Sequence, residues 1–290
     1  MRVSTNDRVI DIAIQVFIAI VLALCLIPFL HIASISLSSN RAIMSGDVTI
    51  FPIEISLEAY RKVLGDISML KSMGYTITLT AIFTLACMLM TMMAAYPLTK
   101  SYLKGKKFFM VLIVITMFFS GGIIPEYILM KELNLLNSMW ALILPLLISP
   151  FNLIILINFF QSIPASLHES AEMDGASHVR VLTQIVIPLS MPVIATLSLF
   201  YAVNRWNGFM DSLFYISNPK MYPLQLKLYQ LIMNNTINDL MQLEGTQVVQ
   251  FLPESLKAAS VMFATVPILL IYPWLQRYFV SGIMLGAVKG

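Results

Sequence analysis

The chain has 290 residues, of which 58% are hydrophobic and only 11% charged, and its formal net charge is +3. So apolar a chain is not a soluble protein of one or two domains, and the composition predicts an integral membrane protein. The small positive excess suits orientation at a membrane surface among lipids, and it does not indicate nucleic-acid binding.

Six apolar runs are long enough to cross a bilayer, since a spanning helix needs about 20 residues. They predict an all-α membrane protein with a single transmembrane domain over 1–290 and spans at about 9–32, 74–99, 108–129, 139–160, 189–207 and 258–279. Arg2 and Arg8 precede the first run, which lacks a cleavage pattern, so we expect a retained helix rather than a signal peptide.

Proline and glycine residues interrupt several of these runs. Gly121 and Gly122, followed by Pro125, predict a break near one end of the third span. Pro145 and Pro150 predict kinks or ends in the fourth span in the same way.

The short loops predict the topology, because lysine and arginine concentrate on the cytoplasmic side. The connection between the second and third spans has four lysines and no acidic residue: Lys100, Lys104, Lys106 and Lys107. Alternation from this loop places both termini and the segment 161–188 in the cytoplasm. Arg277 and Lys289 then lie on the cytoplasmic side, and two long loops of balanced charge, 34–73 and 211–257, lie outside.

No motif for catalysis, metal binding or phosphate binding is present in the sequence. The three histidines form no metal-binding pair, and both a phosphate-binding loop and a nucleophile turn are absent. The methionine run Met88, Met90, Met92 and Met93 favours packing over a soft-metal site. Spans two to four lack charged residues in their apolar cores, which disfavours a carrier driven by protons or sodium.

A polar run near the end of the fifth span has two interpretations. Asn204, Arg205, Trp206 and Asn207 either anchor the span at the lipid interface, with Arg205 reaching to water, or line a path for a sugar. In the second interpretation Trp206 stacks on sugar rings and the two amides exchange hydrogen bonds with hydroxyl groups. The sequence leaves both open.

The most polar stretch lies between the fourth and fifth spans. Ser166, three residues before Glu169, predicts an N-cap for a short helix over Leu167–Asp174, and Gly175 predicts a left-handed turn before a second helical segment, 176–187. Glu169, Glu172 and Asp174 give this stretch an acidic character, whereas a helix lying on a membrane is usually basic. We therefore expect a rigid turn that docks with a partner.

The same residues resemble a known signature. Glu169, Ser170 and Ala171, then Gly175, and finally Ile185, Ile187 and Pro188 are similar to the EAA motif of ABC-importer permeases, with Ser170 and Ile187 as conservative departures. Further similarity to permeases for carbohydrates, of the maltose type and closest to those for complex or acidic oligosaccharides, covers essentially the whole chain. It includes Phe51-Pro52, Ala95-Tyr96-Pro97-Leu98, Ser120-Gly121-Gly122 and Tyr278-Phe279-Val280-Ser281-Gly282.

The resemblance implies a type I importer permease, with six spans, cytoplasmic termini and no catalysis of its own. It implies a bacterial plasma-membrane complex with a second, different permease, two ABC ATPase subunits that bind ATP and Mg, and an extracytoplasmic sugar-binding protein. It assigns coupling to the ATPase to Glu169, Ser170, Ala171, Asp174 and Gly175. The alternatives are a secondary carrier that works alone and a membrane scaffold or lipid-modifying enzyme.

Overall fold

The computed structural model describes residues 5–243 and 254–287, with side chains described within residues 10–233 and 254–271. All regular elements in these ranges are helical, and β-pairing there is limited to one antiparallel bridge between Ser38 and Ile55. Arg2 and Lys289 lie outside the described residues. For Arg8, Arg277 and the pattern Tyr278–Gly282, only the backbone is described.

The α-helices are α1 (Thr5–Leu37), α2 (Asn40–Met44), α3 (Glu58–Gly65), α4 (Ile67–Thr99), α5 (Lys106–Phe118), α6 (Ile123–Glu132), α7 (Pro150–Ser162), α8 (Ala165–Met173), α9 (His178–Val181), α10 (Ile187–Leu189), α11 (Met191–Asn207), α12 (Met210–Tyr215), α13 (Leu224–Leu243) and α14 (Glu254–Ala287). A π-helical segment covers Leu182–Val186. Short 3-10 helices cover Met139–Leu142, Leu144–Leu146 and Pro219–Met221.

The chain forms two compact units. Unit 1 comprises Met1–Leu70 and Leu228–Val266, and unit 2 comprises Lys71–Lys227 and Pro267–Gly290. A small core in unit 1 contains Ala59, Val63 and Ala259. Unit 2 has a larger core that includes Phe83, Met88 and Leu197, so Met88 is a buried packing residue as predicted.

Three stretches of helix can cross a membrane unbroken: Ile10–Leu37, Ile67–Thr99 and Glu254–Ile271. Three bent helix pairs meet the same length and composition test jointly: α5 with α6 at 114°, 139–146 with α7 at 52°, and 178–189 with α11 at 83°. The six predicted apolar runs therefore correspond to three whole helices and three bent pairs. Glycine and proline residues interrupt the third and fourth runs, where the sequence predicted breaks or kinks, and the bend at the fifth run lies at its start, before α11.

The break in the third run lies where the sequence predicted it. Helix α5 ends at Phe118, α6 begins at Ile123, and Gly122 between them has a φ of +84°. Residues other than glycine rarely adopt that backbone conformation, so Gly122 permits the sharp change of direction.

A chain of hydroxyl groups secures the break in the fourth run. The backbone N–H of Ser149 donates to the Tyr201 hydroxyl at 3.1 Å, and the Thr91 hydroxyl donates to the Cys87 carbonyl at 2.7 Å. The Thr91 and Tyr201 oxygens lie 2.8 Å apart, so the Tyr201 hydroxyl is the donor to Thr91. The break before α7 is thus tied to both α4 and α11. Ser149 also caps α7 by accepting from the N–H of Asn152 at 3.4 Å.

The entry to the fifth span contains a feature that the sequence did not predict. The expected helical segment 176–187 is divided into α9, the π-segment and α10, and an 83° bend then separates it from α11. Pro188 lacks a backbone N–H, which removes one bond of the regular ladder, and a wider π-turn precedes it. The N–H of Ser190 donates to the carbonyls of Val186 and Ile187, both at 3.0 Å, which closes the helix end before the bend.

Candidate functional site

The acidic turn, residues 165–176, consists of α8 and the glycine turn that follows it. Helix α8 begins at Ala165 with Pro164 at the capping position, and the Pro164 carbonyl accepts from the N–H of Leu167 at 3.1 Å. The prediction that Ser166 is the N-cap is therefore wrong. Pro164 has a φ of −55° and is extended at ψ, so it starts the helix earlier and places Ser166 inside the first turn.

The end of α8 matches the prediction. Gly175 has a φ of +76°, its N–H donates to the Glu172 carbonyl at 3.1 Å, and the Ala176 N–H donates to the Ala171 carbonyl at 2.9 Å. These two bonds form a Schellman motif, which needs the left-handed conformation that glycine adopts without strain. Ser177 then caps α9 by accepting from the N–H of Arg180. The two helices therefore meet in a well-defined turn.

The predicted coupling residues all lie on this turn. Glu169, Ser170, Asp174 and Gly175 are exposed, whereas Ala171 is half-buried against the core of unit 2. The Glu169 carboxylate makes no hydrogen bond or ion pair with the described side chains. The most exposed apolar residues nearby are Met173, at 88% exposed, and Val179, at 70%. The turn thus presents an unpaired carboxylate beside apolar side chains.

The other carboxylate of α8 contacts the chain itself. Glu172 Oε1 lies 3.5 Å from Lys100 Nζ and 3.9 Å from His178 Nδ1. Lys100 Nζ in turn lies 5.1 Å from the centre of the Tyr96 ring, whose centre is 6.5 Å from that of His168. Burial and the nearby Lys100 charge lower the pKa of His168. The contact between Lys100 and Glu172 also shows that the lysine loop and the acidic turn lie at the same end of unit 2.

A cavity of about 1140 Å³ lies in unit 2 around the break in the fourth run. Aromatic rings, hydroxyl groups and amides contribute to its wall, and none of the described residues that line it is charged: Phe83, Thr116, Pro145, Leu146, Ile148, Ser149, Pro150, Phe151, Asn152, Leu199, Phe200, Tyr201, Val203, Asn204 and Ile268. Its volume slightly exceeds the usual range for small-molecule sites, which is about 300–1,000 Å³.

The structure divides the predicted polar run of the fifth span. Asn204 is exposed and lines the cavity, and Asn207 is exposed with its amide donating to the Val203 carbonyl at 3.0 Å. Trp206 is buried, and Arg205 is only 2% exposed. The prediction that Arg205 reaches to water as an interfacial anchor is therefore wrong. Asn204 is the member of this run that lines the cavity.

Arg205 is engaged in an internal clamp. Its guanidinium forms two bonds with the Asp211 carboxylate, one from Nη2 to Oδ1 at 2.9 Å and one from Nη1 to Oδ2, and Nη1 also donates to the Leu142 carbonyl at 3.0 Å. The Phe83 ring centre lies 5.8 Å from the guanidinium carbon. Gly208 leaves room for this geometry, because a Cβ there would lie 2.8 Å from Nη2. The clamp joins the end of α11 to the 3-10 turn that replaces helix in the fourth run.

The sequence signal for this clamp is weak. Asp211 follows Arg205 by more than one helical turn, and the loop between them brings the two groups together only after folding. The Leu142 carbonyl is free to accept because the helix is interrupted there, which the nearby Pro145 indicates in hindsight.

Residues 72–284 match the family model described as "Binding-protein-dependent transport system inner membrane component". The Protein LplC of Bacillus subtilis (strain 168) is 41% identical over 100% of this chain and 98% of its own length. The polygalacturonan/rhamnogalacturonan transport system permease protein YtcP of the same organism is 39% identical over 98% of this chain and 100% of its own.

A solved structure has the same fold. It is a bacterial ABC transporter involved in the import of the acidic polysaccharide alginate, and one of its chains superimposes with a TM-score of 0.87 at 31% identity. The match covers 96% of this chain and 99% of that chain. The broken helices and the acidic turn thus belong to a fold that is found in a transporter.

Replacement of Asp211 by Asn should destabilise unit 2 by about 3–5 kcal/mol, because it leaves the buried Arg205 charge uncompensated. Thermal unfolding in detergent would measure the loss. The matched control is Glu58→Gln, which removes an exposed ion pair with Lys62 and should leave the unfolding temperature unchanged. Equal unfolding temperatures for the two variants would contradict the structural role of the clamp.

Proposed function

Because the chain belongs to the family of binding-protein-dependent transport system inner membrane components, we propose that it forms half of the membrane path of an ATP-driven oligosaccharide importer. The observation that carries this proposal is the acidic turn, in which α8 presents the exposed Glu169 and Met173, followed by the exposed Val179 of α9. Such a surface suits docking into the groove of a second protein.

The proposed complex has four kinds of component. Beside this chain there are a second, different permease, two ABC ATPase subunits and an extracytoplasmic sugar-binding protein. ATP and Mg would bind to the ATPase subunits, since the sequence here has no phosphate-binding loop. The contact between Lys100 and Glu172 supports the proposed topology, in which the lysine loop, the acidic turn and both termini are cytoplasmic.

The coupling step would be mechanical. The Glu169 carboxylate would accept hydrogen bonds from a basic or backbone donor of the ATPase, and Met173 and Val179 would fill apolar parts of its groove. The Schellman turn at Gly175 holds α8 and α9 in a fixed relation, so the turn would move as one body when the ATPase subunits close. That displacement would shift the helices between inward-facing and outward-facing arrangements, a rigid-body transition of the alternating-access kind.

The cavity supports an oligosaccharide as the transported solute. Its amides and hydroxyls can exchange hydrogen bonds with sugar hydroxyls, and its aromatic rings can contact the apolar faces of sugar rings. One relative, whose name refers to polygalacturonan and rhamnogalacturonan, and a solved transporter for alginate favour a saccharide that contains uronic acids. The described cavity wall has no cation for a carboxylate, so we infer that the binding protein recognises the acidic groups.

The secondary-carrier alternative has less support. A carrier driven by protons or sodium needs an ionisable group or an ion site on its path. Arg205, the buried charged residue that the structure describes in unit 2, is paired with Asp211, and the cavity wall as described is neutral.

Replacement of Glu169 by Lys should reduce copurification of the ATPase about tenfold, which corresponds to ~1.4 kcal/mol, because a cation would face the donors that a carboxylate binds. The measurement is the amount of ATPase subunit retained on tagged permease from the native host. Glu132→Lys is the control, since Glu132 is exposed at the end of α6, away from the turn. Undiminished copurification with Glu169→Lys would contradict the proposed docking.

The substrate class can be tested by growth. Deletion of the gene for this chain should abolish growth on oligogalacturonate as the carbon source and leave growth on malto-oligosaccharide unchanged, and a plasmid copy should restore the first. Loss of growth on malto-oligosaccharide alone would replace the acidic class by a neutral one. Unchanged growth on both sugars would contradict the assignment to oligosaccharides.

A further inference from the structure

The two carboxylates of α8 have different surroundings. Glu169 is exposed and unpaired among the described side chains, whereas Glu172, three residues later, lies between Lys100 at 3.5 Å and His178 at 3.9 Å. Residues three apart are neighbours on a helix surface. Helix α8 therefore exposes the Glu169 carboxylate to a partner and holds the Glu172 carboxylate against Lys100 of the same chain.

Lys100 is well placed to hold its position. It follows directly after α4, its side chain is only 14% exposed, and its ammonium lies 5.1 Å from the centre of the Tyr96 ring on the last turn of that helix. A buried stem and a cation–π contact restrict a lysine that would otherwise sample many rotamers. The Lys106 ammonium donates to the Thr99 carbonyl at 3.4 Å and secures the same helix end.

Two routes lead from the acidic turn into the bundle. The first follows the chain through α9, the π-segment and α10 to the 83° bend before α11. A π-turn and a sharp bend can absorb a displacement instead of passing it on. The second route crosses from Glu172 to Lys100 and enters α4, which is one α-helix from Ile67 to Thr99 with Pro97 in its last turn.

Helix α4 also reaches the cavity. Phe83 lines the cavity wall, and it lies about 25 Å along the helix from Lys100 at ~1.5 Å per residue. A displacement at Lys100 would therefore be delivered to the cavity by a continuous helix.

We propose that the Lys100–Glu172 pair is a positioning contact that transmits movement of the acidic turn to α4 and so to the cavity wall. This inference rests on the proposed function, because it needs an ATPase that moves the turn. Lys100 and Glu172 touch neither the sugar nor ATP. Their role is to make α4 move together with α8. His178 is the second residue near the Glu172 carboxylate.

The experiment is a charge exchange in the reconstituted complete transporter. The readout is the ratio of oligogalacturonate imported to ATP hydrolysed, with malto-oligosaccharide as the sugar if the growth test selects it. Lys100→Glu and Glu172→Lys should each lower this ratio about fivefold, the factor for ~1 kcal/mol. The double variant should recover at least half of the loss, and Lys100→Arg should retain the wild-type ratio.

Lys104→Glu is the matched control, because it makes the same charge change at an exposed position of the same loop and should leave the ratio unchanged. ATPase copurification should stay at the wild-type level in all variants, since Glu169 is untouched. If either reversal fails to fold, Lys100→Met and Glu172→Gln replace it under the same criterion.

Two failures can be told apart. A double variant no better than the single ones, or single variants with an unchanged ratio, overturns the positioning role while the ATPase still copurifies. Absence of ATPase from the wild-type preparation overturns the proposed function itself.

Discussion

Unpaired backbone groups are costly in apolar surroundings, and unit 2 contains three helix breaks where such groups would be left free. At the break in the fourth run, side chains from another helix satisfy such groups. Tyr201 accepts from the N–H of Ser149, and Arg205 donates to the Leu142 carbonyl. Two side chains of α11 therefore bond the backbone groups that the broken fourth run leaves free. The cavity lies at the same break. A wall that is irregular and polar is therefore possible only because these partners hold it.

The clamp and the acidic turn lie in the same unit and have complementary roles. Arg205 is buried and pairs with the half-buried Asp211 beside the broken fourth run, whereas the acidic turn is exposed and has the geometry of a docking element. Helix α4 is common to both regions, since Phe83 contacts the clamp and Lys100 contacts the turn. The continuous helix is thus the physical link between the proposed site of force and the proposed path of the sugar.

Hydropathy alone was sufficient to predict the three unbroken spans, because their apolar runs are long enough to cross a bilayer. The break at Gly122 and the left-handed turn at Gly175 were also predictable, since glycine adopts a positive φ without steric strain. The N-cap at Ser166 was wrong because Pro164 starts α8 earlier. The sequence did not predict the π-segment, although Pro188, which follows it, removes one bond of the regular helical ladder. The burial of Arg205 and the Lys100–Glu172 contact depend on partners that are distant in sequence, so local patterns carry little signal for them.

Site-specific photo-crosslinking in cells can detect the proposed docking of the acidic turn with an ATPase subunit. A photoreactive residue at position 173 replaces a side chain that is 88% exposed on the turn, and one at position 44 replaces a side chain that is 89% exposed in unit 1. We expect a crosslink to the ATPase subunit from position 173 and none from position 44. Crosslinks to the ATPase from position 44 alone, or from neither position, would contradict it.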